Sequence, residues 1–292
     1  MTRRRREHQG RGSLTLRAAA AALVLLGTAR VAAADEARCE PQSIGTKYPG
    51  LAGKTFQIGV SAADKPNSFR DESDPDKIDG FDPDYARAAF ACIGAPVEFA
   101  VGGWSGLMPA LVAGRTDMMW DQLYYTPERA KSVDFVIYSS ARSAVVVPKG
   151  NPKNVHGPDD LCGLRAVTQV GSIEVEGVQR QNQACAAAHK PEIVLEISPD
   201  RPSSLRQLQN GRVDAYIGIG SGVTYDPALY EIAYTFNSGL KVGIGVRKGA
   251  AELERALYDA VKILQANGTA RQIYEKYALN PDLSEPTAIL TQ

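Results

Sequence analysis

Histidine and cysteine are scarce in this chain of 292 residues, with three of the first and four of the second. No two cysteines stand in a Cys-x-x-Cys pair, and beyond the N-terminal region His156 and His189 each stand alone. Neighbouring ligands therefore cannot compose a zinc or redox centre, and both histidines read as surface residues. Charge of one sign is lacking too, because 33 basic residues balance 33 acidic ones. Many of the arginines sit near the N-terminus, so the remainder is mildly acidic, which argues against nucleic acid as a partner. A bilayer-spanning helix needs about 20 apolar residues, and the run Ala18 to Leu26 is much shorter. There is no nucleophile–base constellation and no phosphate-cradling glycine loop. No cofactor and no metal are expected.

What is present begins with an export signal. Arg3 to Arg6, Arg11 and Arg17 precede the apolar run, and Ala32-Ala33-Ala34 follow it before Asp35. This pattern predicts a signal peptide over residues 1–34 and, in a bacterium, a periplasmic destination. Glu-Ala-Arg before Cys39 is not the small apolar context of a lipid-anchored cysteine, so release is expected. The remaining 258 residues suffice for one large or two medium domains. In an oxidising compartment Cys39, Cys92, Cys162 and Cys185 suggest two disulfides. Three pairings are open, with buried free thiols as the alternative. Cys39 with Cys92 and Cys162 with Cys185 is preferred, because each bridge then stays in one half of the chain.

Residues 54–60, KTFQIGV, read as a buried strand, and a polar, turn-rich stretch follows to Gly80. Asp82 and Pro83 suit a helix start and Gly94 a helix stop. Strand, loop and helix in this order open an α/β domain. Residues 107–117, LMPALVAGRTD, are echoed by 205–214, LRQLQNGRVD. Each has apolar residues at helical spacing, a glycine suited to a helix C-terminus, and an apolar strand after it, MMW or AYIGI. Two further extended segments, in 141–151 and 240–249, flank the second unit and would form a two-stranded hinge. The expected order is lobe 1 over 35–142, lobe 2 over 143–241, and a return to lobe 1 over 242–292, where 251–277 has helical periodicity. In open parallel-rich sheets ligands bind outside the carboxyl ends of the strands. That places Asp121, Gln122, Leu123 and Tyr124 on one side of a cleft, and Gly220 and Ser221 on the other.

The strings GFDPDYARAAF, WSGLMPALVAGRTD, YYTPERAKSVDF and NGTARQIYEKY occur in that order. Through them the chain, from about Lys54 to Tyr277, resembles the family 3 extracellular solute-binding proteins, the polar amino-acid-binding components of ABC importers. The resemblance implies the type II periplasmic binding protein fold, an α/β architecture of two lobes with a cleft between them and a two-stranded hinge. It also implies hinge closure on a small carboxylate-bearing solute and an ABC permease as partner; a monomer is the default expectation. Arg129, in Thr126-Pro127-Glu128-Arg129, matches the family's carboxylate-gripping arginine; the alternative is a surface pair with Glu128 or Asp134. Ser172 and the adjoining Ile173 match a hydroxyl and backbone N–H groups at a helix N-terminus, where anions are favoured. Trp104 matches the wall that packs on the ligand side chain, unless it belongs to the core stripe of Leu107 and Leu111.

Departures from the family pattern bear on the ligand. Ile219 stands where the family's ammonium-binding acid is expected, and Ser61 aligns with its ligand-facing acid after the first strand. Asp121, Gln122 and Tyr124 replace small residues at the cleft. Either Asp121 supplies the counter-charge or the ligand has no ammonium group, and an amino-acid-like ligand is favoured. Asp64, in a turn, is expected at the surface. The rival function is a cyclohexadienyl-dehydratase-like enzyme on the same scaffold, with Glu174, Asp121 or Glu176 as general acid. A third is a ligand sensor that docks a receptor.

Overall fold

A computed structural model describes residues 38–220 and 225–291. The proposed signal peptide and Ser221 lie outside the described residues. The first strand, β1 (Phe56–Val60), runs parallel to β5 (Val97–Val101) and to β6 (Met118–Tyr124). After the short helix α1 (Ile44–Lys47), helix α2 (Phe81–Ile93) follows the predicted bounds closely and ends at Gly94, whose φ of 89° is the left-handed conformation expected of a helix stop. A Cβ at Gly94 would also strike the Pro41 carbonyl, so only glycine fits there. The turn-rich stretch before it holds a small antiparallel sheet of β2 (Ala63–Asp64), β3 (Ser68–Arg70) and β4 (Ile78–Asp79), which the pattern of polar residues did not foretell.

Both halves of the sequence echo fold alike. Helix α3 (Trp104–Val112) leads through Gly114 into β6, and helix α6 (Arg201–Gln209) leads through Gly211 into β10 (Ala215–Ile219). The aspartate closing each echo has the same task. Asp117 accepts the backbone N–H of Gln57 at 2.9 Å, and Asp214 accepts that of Arg165 at 3.0 Å. Each carboxylate thereby pins the start of a strand in its own half of the sheet: β1, or β8 (Arg165–Gln169). The unit around β8 is completed by α5 (Glu174–Ala187) and β9 (Val194–Ser198), which runs parallel to β8.

Two long strands, β7 (Val133–Pro148) and β11 (Tyr230–Arg247), pair antiparallel and run through both halves of the sheet. The order is β5-β1-β6-β11-β7-β10-β8-β9, with β12 (Ser284–Leu290) also pairing with β7. This two-lobed arrangement with a two-stranded connection agrees with the sequence reading. Helix α7 (Ala251–Ala266) and helix α8 (Thr269–Lys276) split the single helical stretch expected near the C-terminus, because Gly268, at φ 82°, turns the chain. Leu253, Leu257, Val261 and Tyr274 from this pair join Phe81, Tyr85 and Phe90 in one core. A separate core of Val145, Leu161, Val178 and Ile217 lies beyond the long strands. Both preferred disulfides are present, Cys39–Cys92 and Cys162–Cys185. His156 and His189 are exposed.

Candidate functional site

The carboxyl ends of β6, β8 and β10 meet at a cavity of about 30 Å³. Its lining includes Trp104, Gln122, Tyr124 and Arg129 from one half and Gln169, Ser172, Ile173, Glu174, Gly218 and Ile219 from the other. One water needs roughly 10–15 Å³ of such space, so the cavity as it stands has room for about two waters.

Arg129 holds its place through both halves. Thr126, the N-cap of the short helix α4 (Pro127–Ala130), accepts the Arg129 backbone N–H at 3.1 Å. The side chain then reaches back, with Nη1 donating to the Tyr124 carbonyl at 2.7 Å and Nη2 to the Gly171 carbonyl at 2.9 Å. Its guanidinium carbon lies 5.6 Å from the Trp104 ring centre, within cation–π range. Burial holds the guanidinium below its ordinary value, and the Glu174 charge opposes that shift. The surface alternative fails: Glu128 pairs with Lys131, and Asp134 pairs with Lys248 at 2.6 Å.

Gln122 reaches the cavity because β6 bulges. Its φ is 52°, and the register against β11 shifts between Gly243 and Gly245, as an inserted residue requires. The bulge is fastened from beneath by the fully buried Asp82, which accepts the Gln122 backbone N–H at 3.1 Å, its Nε2 at 2.9 Å, and the Tyr138 hydroxyl at 2.7 Å. Burial, and then the nearby Asp121 charge, push the Asp82 carboxyl well up from its ordinary value. Tyr124 is buried and its hydroxyl has no hydrogen-bond partner among the described residues. Ser172 shares a hydrogen bond with Thr168 at 3.0 Å, and the N-cap of α5 is Ile173, one residue later than the hydroxyl.

Ser61, Asp121 and Gly220 are not part of the lining. Asp121 is buried against Ser61, and Leu123 points into the core beside Leu107 and Leu111. Gly220 donates its N–H to the Arg142 carbonyl at 2.8 Å; a Cβ there would come within 2.7 Å of Ala144. Asp64 departs from expectation. It lines the cavity and pairs with the buried Arg201 of α6, whose Nη2 also donates to the Lys65 carbonyl at 2.8 Å. Partners 137 residues apart in sequence leave no local signal, so a turn aspartate reads as exposed until the chain is folded. Glu174 had a signal, an acid at a helix start, but the role expected of it was only that of an enzyme's general acid.

Burial raises the Asp121 carboxyl to about 7, against hydrogen bonds from Ser61 that lower it. An unfolded aspartate titrates near ~3.9, so the folded state holds this proton in between. The resulting stabilisation is complete below about pH 4 and is lost as pH rises through about 7. Asp121→Asn carries no such titration. Between pH 5 and 8 the urea midpoint of the unsubstituted protein should fall relative to this variant; a constant difference would show that Asp121 titrates normally.

Comparison with known proteins supports the fold. The family model for bacterial extracellular solute-binding proteins, family 3, matches residues 56–280. The L-cystine-binding protein TcyJ of Escherichia coli (strain K12) is 25% identical over 234 residues, 76% of this chain and 82% of the relative. An ancestral arginine-binding protein bound to arginine has a TM-score of 0.69 and 31% identity, over 76% of this chain and 97% of that one. AncCDT-1, an ancestral amino acid-binding protein described as a precursor of cyclohexadienyl dehydratase, has a TM-score of 0.64 and 27% identity, over 76% and 94% of the two chains.

Proposed function

Since the chain belongs to the bacterial extracellular solute-binding proteins of family 3, we propose that it captures a small carboxylate-bearing, amino-acid-like solute in the periplasm for an ABC permease, without chemical change. Arg129 is the observation that carries this reading. A guanidinium whose two ends rest on carbonyls of opposite halves sits in the cavity itself, and its planar fork matches a carboxylate. Trp104 walls the solute side chain and Ser172 faces it from the start of α5.

We place the lobe boundaries at 142/143 and 241/242. The register shift in β11 between Phe236 and Leu240, opposite Ser143 and Ala141, supports a bend at that point. The solute enters an open form, binds Arg129 first, and favours closure by its differential affinity for the closed form. The names of relatives that bind cystine and arginine support an amino-acid ligand. AncCDT-1, the neighbour with a dehydratase descendant, is itself a binding protein. The acting form is taken as a monomer.

A thermal-shift screen of the protein against amino acids, amines and simple carboxylates tests the reading, since a ligand of the folded form raises the melting temperature. Shifts should come from carboxylate-bearing solutes, which chromatography should recover unaltered after incubation. Shifts confined to amines, or consumption of the solute, would overturn it.

A further inference from the structure

Away from the cleft, the half of the molecule that carries β8 and β10 contains a cavity of about 380 Å³ that opens to the surface. Its floor is Leu161, Ile193 and Ile217, three side chains of that half's own core. One wall is α5, at Gly177 and Val178, and the other is β11, at Tyr234 and Phe236. Alternate residues of a strand share a face, which sets these two rings side by side with centres 6.0 Å apart. The gap follows from the sheet order. Between Tyr230 and Phe236, β11 pairs with β7 alone and forms the edge of this half, whereas α5 packs on the interior strands, Val178 and Cys185 joining Val145 and Ala166.

Gly177 leaves part of this space unfilled. A Cβ there would meet Phe236 at 3.9 Å and Arg180 Nη2 at 4.0 Å, ordinary contact distances, so no neighbour excludes a larger residue. Glycine within a helix gives up stability relative to alanine, and here it keeps the face of α5 clear of the Phe236 ring. The charged groups around the mouth have partners of their own. Arg180 faces Glu176 at 3.8 Å, Asp159 accepts Gln181 Nε2 at 3.1 Å, and Asp160 accepts the backbone N–H groups of His156 and Gly157. A guest with a net charge would meet both signs there and gain little. Apolar walls hold water poorly, and a guest of the same character displaces it. We propose that this cavity is a second binding site, which takes a small uncharged molecule with an aromatic or similarly apolar body between α5 and the Tyr234–Phe236 wall. It shares no lining residue with the cavity around Arg129 and does not depend on the function proposed for that arginine.

The test is fluorescence titration of the purified protein with N-phenyl-1-naphthylamine, an uncharged aromatic probe that brightens in apolar surroundings. The unsubstituted protein should bind it saturably, at about one probe per chain. Gly177→Leu, whose side chain would occupy the space beside Phe236, should weaken binding by at least about tenfold. Leucine favours a helix over glycine, so this variant should melt no lower than the unsubstituted protein; if it does, Thr235→Trp, at the mouth, takes its place with the same expected loss. Val112→Asp, in a separate apolar groove between α3 and Val170, should leave probe binding within about threefold. The sulfonated relative of the probe, 8-anilinonaphthalene-1-sulfonate, should bind the unsubstituted protein at least about tenfold more weakly. Absence of saturable binding overturns the proposal, as does binding that survives the cavity variant or is lost in Val112→Asp. Equal or tighter binding of the sulfonate overturns the choice of an uncharged guest.

Discussion

Replacing Arg129 by alanine should weaken binding of any carboxylate ligand by at least about 30-fold while leaving the unliganded protein folded. The side chain makes two hydrogen bonds, to the Tyr124 and Gly171 carbonyls, and lies over Trp104. Removing it therefore takes away the anion site and one tie between the halves together. Truncating one partner of a buried, hydrogen-bonded charge pair costs about 2–5 kcal/mol, and that range sets the expected loss. Arg129→Lys should recover part of it, because a point charge cannot reproduce the fork. Isothermal titration with the amino acid giving the largest thermal shift, alongside circular dichroism of each variant, checks the expectation. Affinity of Arg129→Ala within threefold of the unsubstituted protein would remove Arg129 from the site.

The second large effect concerns stability. Cys39–Cys92 closes a separation of 53 residues and Cys162–Cys185 one of 23. Loop-closure entropy gives about 4 kcal/mol for the first and about 3 kcal/mol for the second. The Cys39–Cys92 bridge also fixes the segment leading to Tyr48, whose hydroxyl donates to Asp259 of α7 at 2.6 Å. In a chain of this size about 4 kcal/mol corresponds to a fall in melting temperature of roughly 8–16 °C. Cys39→Ser with Cys92→Ser should show that fall, and Cys162→Ser with Cys185→Ser a smaller one. A loss below about 3 °C in the first pair would mean that the N-terminal segment is held by its other contacts.

Local rules made much of the fold legible. Gly94, Gly114 and Gly211 mark helix ends because a left-handed turn disfavours side chains with a Cβ, and glycine meets it without strain. The echo around Asp117 and Asp214 was readable for a similar reason: each aspartate acts within one strand pair, so the same short pattern serves twice. The small sheet β2-β3-β4 and strand β12 were missed. Two- and three-residue strands leave no periodicity, and β12 owes its pairing with β7 to a partner far back in the chain.

The candidate site divides in the same way. Arg129, Trp104, Ser172, Ile173, Gln122 and Tyr124 came from motif position and strand ends, and the structure brings all six to one cavity. Asp121 came from the same strand-end reasoning and lies outside it, because the bulge at Gln122 breaks the alternation that such reasoning assumes; Ser61, taken from the family alignment, lies outside it as well. The sequence by itself determined the main strands and helices, their order, the favoured cysteine pairing and the arginine as a candidate, since each follows from neighbours along the chain or from a motif. Only the tertiary structure decided which acids face the solute. Asp64 meets Arg201 and Glu174 meets Ser143 across segments far apart in the chain. Whether a carboxylate is solvated, neutralised or left for a ligand depends on what packs around it, which no stretch of sequence contains.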